Sequence, residues 1–268
     1  MSRIISNGAT IHFDDLGPAD GMPVVLIHGH PFNRSMWRPQ TAALSAAGYR
    51  LIAPDLRGYG HSDTDAGTTP FPAFADDIAV LLDHLELDRA VVGGVSMGGQ
   101  ITMEFQRSHP RRVRALVLAD TSPVAETDEG KTFRNRLADR LLAEGMDGYT
   151  GEVIDKMLAA YNVTAMPQVA AHVTEMMRTT DPAGAAAALR GRAERADYRA
   201  TLAATTAPTL VVVGADDVYT PPEEAQGIQR LVPHATLTVV DHAGHLPNME
   251  QPEAFNTALV RFLNSLAL

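Results

Sequence analysis

The sequence predicts an α/β fold built on a mostly parallel sheet, and two observations carry that prediction. Short β-rich runs at 24–29, 50–55, 90–96, 114–120, 209–217 and 236–245 are almost continuously apolar and end at Gly, Asp, Ser or His. Strands with both faces covered look like this, because neither side of the ribbon meets water. Segments of helical periodicity fill most of the gaps between the runs, and alternation of strand with helix is the pattern of parallel α/β architecture.

The elements follow in order. Asn7-Gly8 lies between two short apolar segments, the signal of a type I′ hairpin. Trp37 to Ala47 and Phe74 to Leu85 are expected to be helical, the second with Ile78, Leu81, Leu82 and Leu85 on one stripe. "TPPE" at 220–223 places Thr220 at an N-cap, proline in the first turn and glutamate three residues on, which marks a helix start. The alternation lapses between about Ser122 and Thr206, where an Ala-, Met- and Arg-rich stretch reads as several helices. Phe133, Leu137 and Leu141 share one stripe there, and Val169, Val173 and Met176 another. Its methionines, Met146, Met157, Met166, Met176 and Met177, are expected in helix cores, with an adaptable apolar lid over a pocket as the alternative.

With 268 residues, 45% of them hydrophobic, the chain can bury a sizeable core. A formal net charge of −10 and the lack of any basic run argue against nucleic acid or an anionic membrane as partner. Cysteine is absent, which removes disulfides, thiolate nucleophiles and thiolate metal sites. The first residues carry no apolar signal core, and no run approaches the ~20 apolar residues that span a bilayer, so a cytoplasmic protein is expected.

The chemistry-bearing motif is "GGVSMGG", from Gly93 to Gly99, where a strand meets a helix. Gly94, Ser96 and Gly98 form G-x-S-x-G. On so sharp a turn the serine hydroxyl is pushed clear of the sheet, and glycines two before and two after let strand and helix come close. Serine needs a base, and the base needs an acid to fix its tautomer. His245 is the candidate base, with His242 a decoy three residues earlier; Asp216, Asp217 and Asp120 are open as the acid. The histidine pair lacks a third ligand at matching spacing, so no metal and no cofactor is expected. "HGHPFN", from His28 to Asn33, leaves open whether its histidines are ligands, a base or parts of a turn.

Five stretches, "HGHPFN", "PDLRGYGHSD", "GGVSMGG", "GADDVYTPP" and "DHAGHLPNMEQP", resemble motifs of the α/β-hydrolase family in this order between residues 28 and 252. The Ser-Met-Gly-Gly turn and "RSMWRPQ" look most like the enol-lactonase, cofactor-free haloperoxidase and small-esterase branch. The resemblance implies an eight-stranded, mostly parallel sheet flanked by helices, with a core of residues 1–121 and 207–268 and a helical cap over 122–206. It implies Ser96 as nucleophile, His245 as base and Asp217, at the fourth position of G-x-x-D, as acid; Asp216 is then a polar loop residue. It implies that the backbone N–H groups of His30 and Met97 form the oxyanion hole, so the working part of His30 is its amide, while His28 stabilises a turn. Asp55, Arg57 and Gly58 match a loop held by internal hydrogen bonds. Phe32, Trp37 and Leu246 are candidate substrate contacts, with helix packing an equal role for Trp37.

The expected activity is hydrolysis of a small carboxylic ester or lactone through an acyl-enzyme, with that small molecule as partner; the Ala and Met content of 122–206 suggests a substrate with an apolar portion. C–C bond hydrolysis and perhydrolysis could use the same three side chains. A non-catalytic small-molecule binding protein on the same fold is the alternative from another class. Haloalkane and epoxide hydrolysis are disfavoured, because those branches carry a carboxylate where this chain has Ser96.

Overall fold

The computed structural model describes residues 2–64 and 67–266. The outer bounds expected for the core, residues 1 and 268, lie outside the described residues. Eight strands form one sheet: β1 (Ser2–Ser6), β2 (Ala9–Leu16), β3 (Met22–Ile27), β4 (Tyr49–Pro54), β5 (Ala90–Val95), β6 (Val113–Ala119), β7 (Thr209–Gly214) and β8 (Thr236–Val240). Their spatial order is β1-β2-β4-β3-β5-β6-β7-β8. β1 and β2 pair antiparallel, β2 runs antiparallel to β4, and all remaining neighbours are parallel. Asn7 and Gly8 both take positive φ, 47° and 85°, as a type I′ turn requires, and Ser6 pairs with Ala9 across it.

The apolar runs have a simple cause. Along β3, Val25 and Ile27 enter one hydrophobic cluster while Val24 and Leu26 enter the cluster on the other face. β7 divides in the same way, Val211 and Val213 against Leu210 and Val212. Every residue of such a strand is buried, so alternation with polar residues is lost.

Twelve helices of α type occur among the described residues: α1 (Arg38–Ala46), α2 (Phe71–His84), α3 (Met97–Ser108), α4 (Asp128–Glu144), α5 (Asp147–Met157), α6 (Ala160–Ala165), α7 (Pro167–Arg178), α8 (Pro182–Ala193), α9 (Arg199–Ala203), α10 (Pro222–Leu231), α11 (Pro247–Glu250) and α12 (Pro252–Ser265). None is long and apolar enough to cross a membrane. α2, α3 and α10 cover one face of the sheet, and α1 and α12 the other. The six helices α4 to α9 lie between β6 and β7, within the stretch where alternation lapses. The helix expected from Trp37 is preceded by a 3-10 turn over Arg34–Trp37, and the one expected from Phe74 begins at Phe71.

α8 is pinned to the core by backbone contact. A Cβ at Gly184 would collide with the carbonyl of Gly58, and one at Gly191 with the carbonyl of Thr69. Thr69 N–H donates to Ala187 O at 3.0 Å, on the same helix. Four of the five methionines of this region are buried: Met146, Met157, Met176 and Met177. Phe133 departs from its expected stripe. Leu137 and Leu141 are buried, whereas Phe133 is 63% exposed at the rim of a cavity.

Two glycines should answer oppositely to a methyl group. Gly184→Ala is expected to destabilise the fold by at least ~2 kcal/mol, because backbone on both sides must shift. Gly151, inside α5, has nothing within 4 Å of its Cβ position, and Gly151→Ala should stabilise by about 0.5–1 kcal/mol. Urea unfolding of the two variants against the parent measures both.

Candidate active site

Ser96 occupies the turn from β5 into α3 with φ 57° and ψ −117°. A non-glycine residue there is strained, and the neighbours enforce it. A Cβ at Gly94 would meet the backbone of Gly98, and a Cβ at Gly98 would meet the carbonyl of Ile27. Only hydrogen fits at both places. β5, β3 and the start of α3 therefore pack backbone against backbone, and the serine side chain is directed into a cavity of about 420 Å³. That volume suits a small organic molecule. The Ser96 hydroxyl has no hydrogen-bond partner among the described residues. His245 lines the same cavity.

Behind the imidazole, His245 Nδ1 lies 2.8 Å from Asp217 Oδ2, both residues being buried. The carboxylate is held on every side. Tyr219 N–H and Thr220 N–H donate to Oδ1 at 2.8 and 3.2 Å, and the Thr220 hydroxyl donates to Oδ2 at 2.6 Å. Burial pushes the Asp217 carboxyl up, but the charge of His245 and these hydrogen bonds overcome it and hold the group below the usual carboxylate range. Thr220 is thus not the helix cap expected from "TPPE". Pro221 is the residue preceding α10, with no side-chain cap, and the threonine hydroxyl turns to Asp217 instead.

The other candidates go elsewhere. Asp216 Oδ2 accepts a hydrogen bond from Tyr161 at 2.5 Å. His242 is exposed, and its carbonyl accepts from Asn162 and Gln251. Asp120 is buried beside Asp217, with Oδ1 accepting from Gly214 N–H at 2.9 Å and Oδ2 lacking a partner. Burial first, and then the Asp217 charge, push its carboxyl well above the usual range. Of the two neighbouring carboxyls, Asp120 therefore takes the proton and Asp217 carries the charge.

Asp120, Asp217 and His245 bring ligand atoms within 4.8 Å of one another, a spacing that could hold a metal ion. Both Asp217 oxygens are already engaged by donors, and only Asp120 Oδ2 remains unclaimed, so the donor set fits a hydrogen-bonded relay better than a coordination sphere.

His28 is a turn residue: Nδ1–H donates to Gly29 O at 2.8 Å, and Nε2 accepts from Leu56 N–H at 3.0 Å. His30 lines the cavity, its Nδ1 2.7 Å from the Tyr59 hydroxyl. Burial and the charges of Arg192 and Arg134 lower its pKa well below the ordinary histidine value, so the ring is neutral. The His30 N–H has no partner among the described residues. The Met97 N–H opens α3 and lies outside the helical ladder. Met97 follows Ser96 in sequence, and Gly29, the residue before His30, lies against the Ser96 side chain.

Phe32, Trp37 and Leu246 do not line the cavity. All three are fully buried in the apolar cluster on one face of the sheet, where the Trp37 ring packs 6.4 Å from that of Phe255. The tight turn from Gly29 to Phe32 and the 3-10 turn after it fold Phe32 and Trp37 inward. The "PDLRGYGHSD" loop has internal bonds, His61 N–H and the Ser62 hydroxyl donating to Asp55, and is also tied to its neighbours: Arg34 donates to Asp55, and Arg57 makes a bidentate pair with buried Asp77 on α2.

Glu250 lies within "DHAGHLPNMEQP", where its residue type alone points to no role. Its buried carboxyl accepts from Gly244 and Leu246 N–H on either side of His245, and from Ala159 N–H and Asn162 Nδ2 at α6. It fixes the base-bearing loop and ties it to the helices above. Tyr149, Tyr219, Gln100, Arg134 and Arg192 also line the cavity without any local sequence signal.

The fold, the serine turn and the paired acid and base together place this molecule among the hydrolases of its architecture. A family model for the alpha/beta hydrolase fold matches residues 22–252, and the chain belongs to that family. An esterase from Thermogutta terrifontis, solved with malate bound, is 37% identical, with a TM-score of 0.95 over 99% of each chain. A 3-oxoadipate enol-lactonase from Acinetobacter baylyi is 28% identical over 96% of this chain and 94% of its own. A Mycobacterium tuberculosis protein provisionally named a non-heme bromoperoxidase is 33% identical over 95% of this chain and 97% of its own. These are the enol-lactonase, haloperoxidase and esterase relatives that the motifs suggested.

Asp120 offers a test of the carboxyl pair. Its folded pKa lies above the unfolded one, so the native state keeps a proton that the unfolded chain has lost, and stability falls as pH rises past about 4. Asp120→Asn retains an acceptor for Gly214 N–H and removes that titration. It should be more stable than the parent at pH 7, with the difference shrinking towards pH 4. Urea midpoints across that range decide it, and a pH-independent difference would rule out ionisation as the cause.

Proposed function

We propose that this protein is a serine hydrolase that cleaves a small carboxylic ester or lactone through an acyl-enzyme. The observation that carries the proposal is the sharing of one cavity by Ser96 and His245, with Asp217 hydrogen-bonded behind the imidazole. The esterase and enol-lactonase relatives support the substrate class.

Ser96 Oγ attacks the carbonyl carbon as His245 Nε2 takes its proton. Asp217 keeps Nδ1 protonated and stabilises the imidazolium that forms. The tetrahedral oxyanion is received by the N–H groups of His30 and Met97; each such donor is typically worth about 10²–10³ in rate. The imidazolium then protonates the leaving oxygen. Water, activated by the same imidazole, releases the acid and restores the serine. Helices from 122–206 act as the cap that shapes the acyl pocket.

A second reading has an observation of its own. The relative named as a bromoperoxidase favours peroxide as an alternative nucleophile, which would convert the same acyl-enzyme to a peracid.

Ser96→Ala is expected to lower kcat/KM on an ester or lactone panel by about 10³-fold or more. A fluorophosphonate should label the parent at Ser96 and leave the variant unlabelled, as read by intact-protein mass spectrometry. Undiminished turnover by Ser96→Ala would end the proposal. So would an unlabelled parent that binds a ligand tightly, which would identify a binding protein.

A further inference from the structure

We propose that Arg192 is an anion-binding residue of this cavity and that the natural substrate is an ester or lactone bearing a free carboxylate. The proposal rests on the hydrolase reading above, and goes on to name the chemical class that the pocket selects.

The first argument is charge balance. Three arginines gather above the serine on the inserted helices and the segment after them: Arg134, Arg192 and Arg195. One glutamate serves them. Glu126 pairs with Arg134 at 2.7 Å and with Arg195. The nearby Glu194 is taken by Lys131 at 2.9 Å. Arg192 makes no ion pair among the described residues. Its one side-chain bond is from Nε to the Gln100 amide oxygen at 2.8 Å. A guanidinium has five N–H donors, and the edge carrying the two Nη groups is left for the cavity that Arg192 lines. Enclosure by protein, together with the charges of Arg134 and Arg195, depresses its pKa well below the ordinary value. Arg192 is half-buried, and Glu126, whose charge also reaches it, is already shared by Arg134 and Arg195, so an arriving anion would recover part of the cost of desolvating this cation.

The second argument is position. Gln100 N–H donates to Ser96 O at 3.1 Å, so the amide that holds Arg192 lies one helical turn beyond the nucleophile, about 6 Å along the α3 axis. Arg192 and Ser96 line the same cavity, so a ligand with its carboxylate on the guanidinium can hold a carbonyl in the space that the serine faces. Planar, bidentate recognition is what guanidinium does best with carboxylate. The pinning of α8 through Gly184 and Gly191 fixes the helix from which Arg192 projects, so the cation is preorganised.

The third argument is the field. The chain has a formal net charge of −10. Yet the cavity is lined by Arg134, Arg140, Lys156 and Arg192 against Asp120 and Glu152, and Asp120 is the carboxyl that holds its proton. A locally positive site within an acidic protein draws an anion from solution towards the serine.

The test uses matched substrates that differ only in charge: monomethyl against dimethyl glutarate for a carboxylate on the acyl side, and acetoxyacetate against its methyl ester for one on the alcohol side. The parent should prefer the charged member of at least one pair. Arg192→Gln should lower that preference, the ratio of the two kcat/KM values, by 10- to 100-fold, the range for a lost hydrogen-bonded charge contact. Arg192→Lys should restore part of it. Calorimetry on the otherwise native Ser96→Ala protein, with glutarate and the isosteric glutaramide as probes, should show tighter binding of glutarate. This arm needs no change at Arg192 and does not depend on turnover. A preference unchanged within about twofold in Arg192→Gln, or glutarate no tighter than glutaramide, would overturn the proposal. Turnover that survives Ser96→Ala would instead defeat the serine mechanism and leave the anion site to the calorimetric result.

Discussion

The steric closure around Ser96 is the constraint on which the rest depends. Gly94, Gly98 and the Ile27 carbonyl approach so closely that no side chain can intervene, and the chain can pass from β5 into α3 only by way of a positive φ at position 96. That turn has three consequences. It aims the hydroxyl at the cavity, and it begins α3 at Met97 with an N–H outside the ladder. It also sets the phase of α3, which brings Gln100 to the same wall one turn later. Ser96, the Met97 N–H and Gln100, which holds the Arg192 guanidinium, are thus placed by one backbone conformation.

Asp217 and His245 depend on a different device. They sit on loops, which have no ladder to fix them, so buried side chains do the fixing. Thr220 and two N–H groups hold Asp217 from its own strand end. Glu250 holds the residues flanking His245, and the same carboxyl bonds Ala159 and Asn162 of the inserted region. The start of α6 and the His245 loop therefore share an anchor. A disturbance of α6 would be felt at the imidazole through one carboxyl group.

What could be read from the sequence was what short-range chemistry determines. The runs at 24–29 and 209–217 announced strands because both faces are covered, and Asn7-Gly8 announced its turn because few other pairs accept two positive φ values. The serine and histidine positions were legible because each lies in a compact motif. Legibility stopped where tertiary contacts choose between equal local options. Thr220 has the sequence of a helix cap, but Asp217 three residues earlier competes for its hydroxyl and takes it. Phe32, Trp37 and Leu246 lie in or near site motifs, yet all three are buried in the core. The stripe through Phe133 and Leu137 is correctly helical, but its first member overhangs the cavity mouth and stays exposed. Arg192 gave no local signal at all. It lies in an alanine-rich helix, and its standing depends on how Glu126 and Glu194, far off along the chain or adjacent to it, are shared among other cations.

That last case shows why substrate class is harder to read than reaction class. Reaction class follows from a few groups whose spacing the fold enforces, whatever else varies. Substrate class follows from residues on inserted helices, where any one residue's meaning is set by the charge balance of its neighbours. Here the balance is uneven. Glu126 answers two arginines, Lys131 occupies Glu194, and the carboxyl at Asp120 is neutralised by burial next to Asp217. The positive charge left over faces the cavity from α8, which is locked to the core through contacts that only glycine allows. An uncharged ligand in this cavity would leave that cation without a counter-ion, whereas a carboxylated one would supply it.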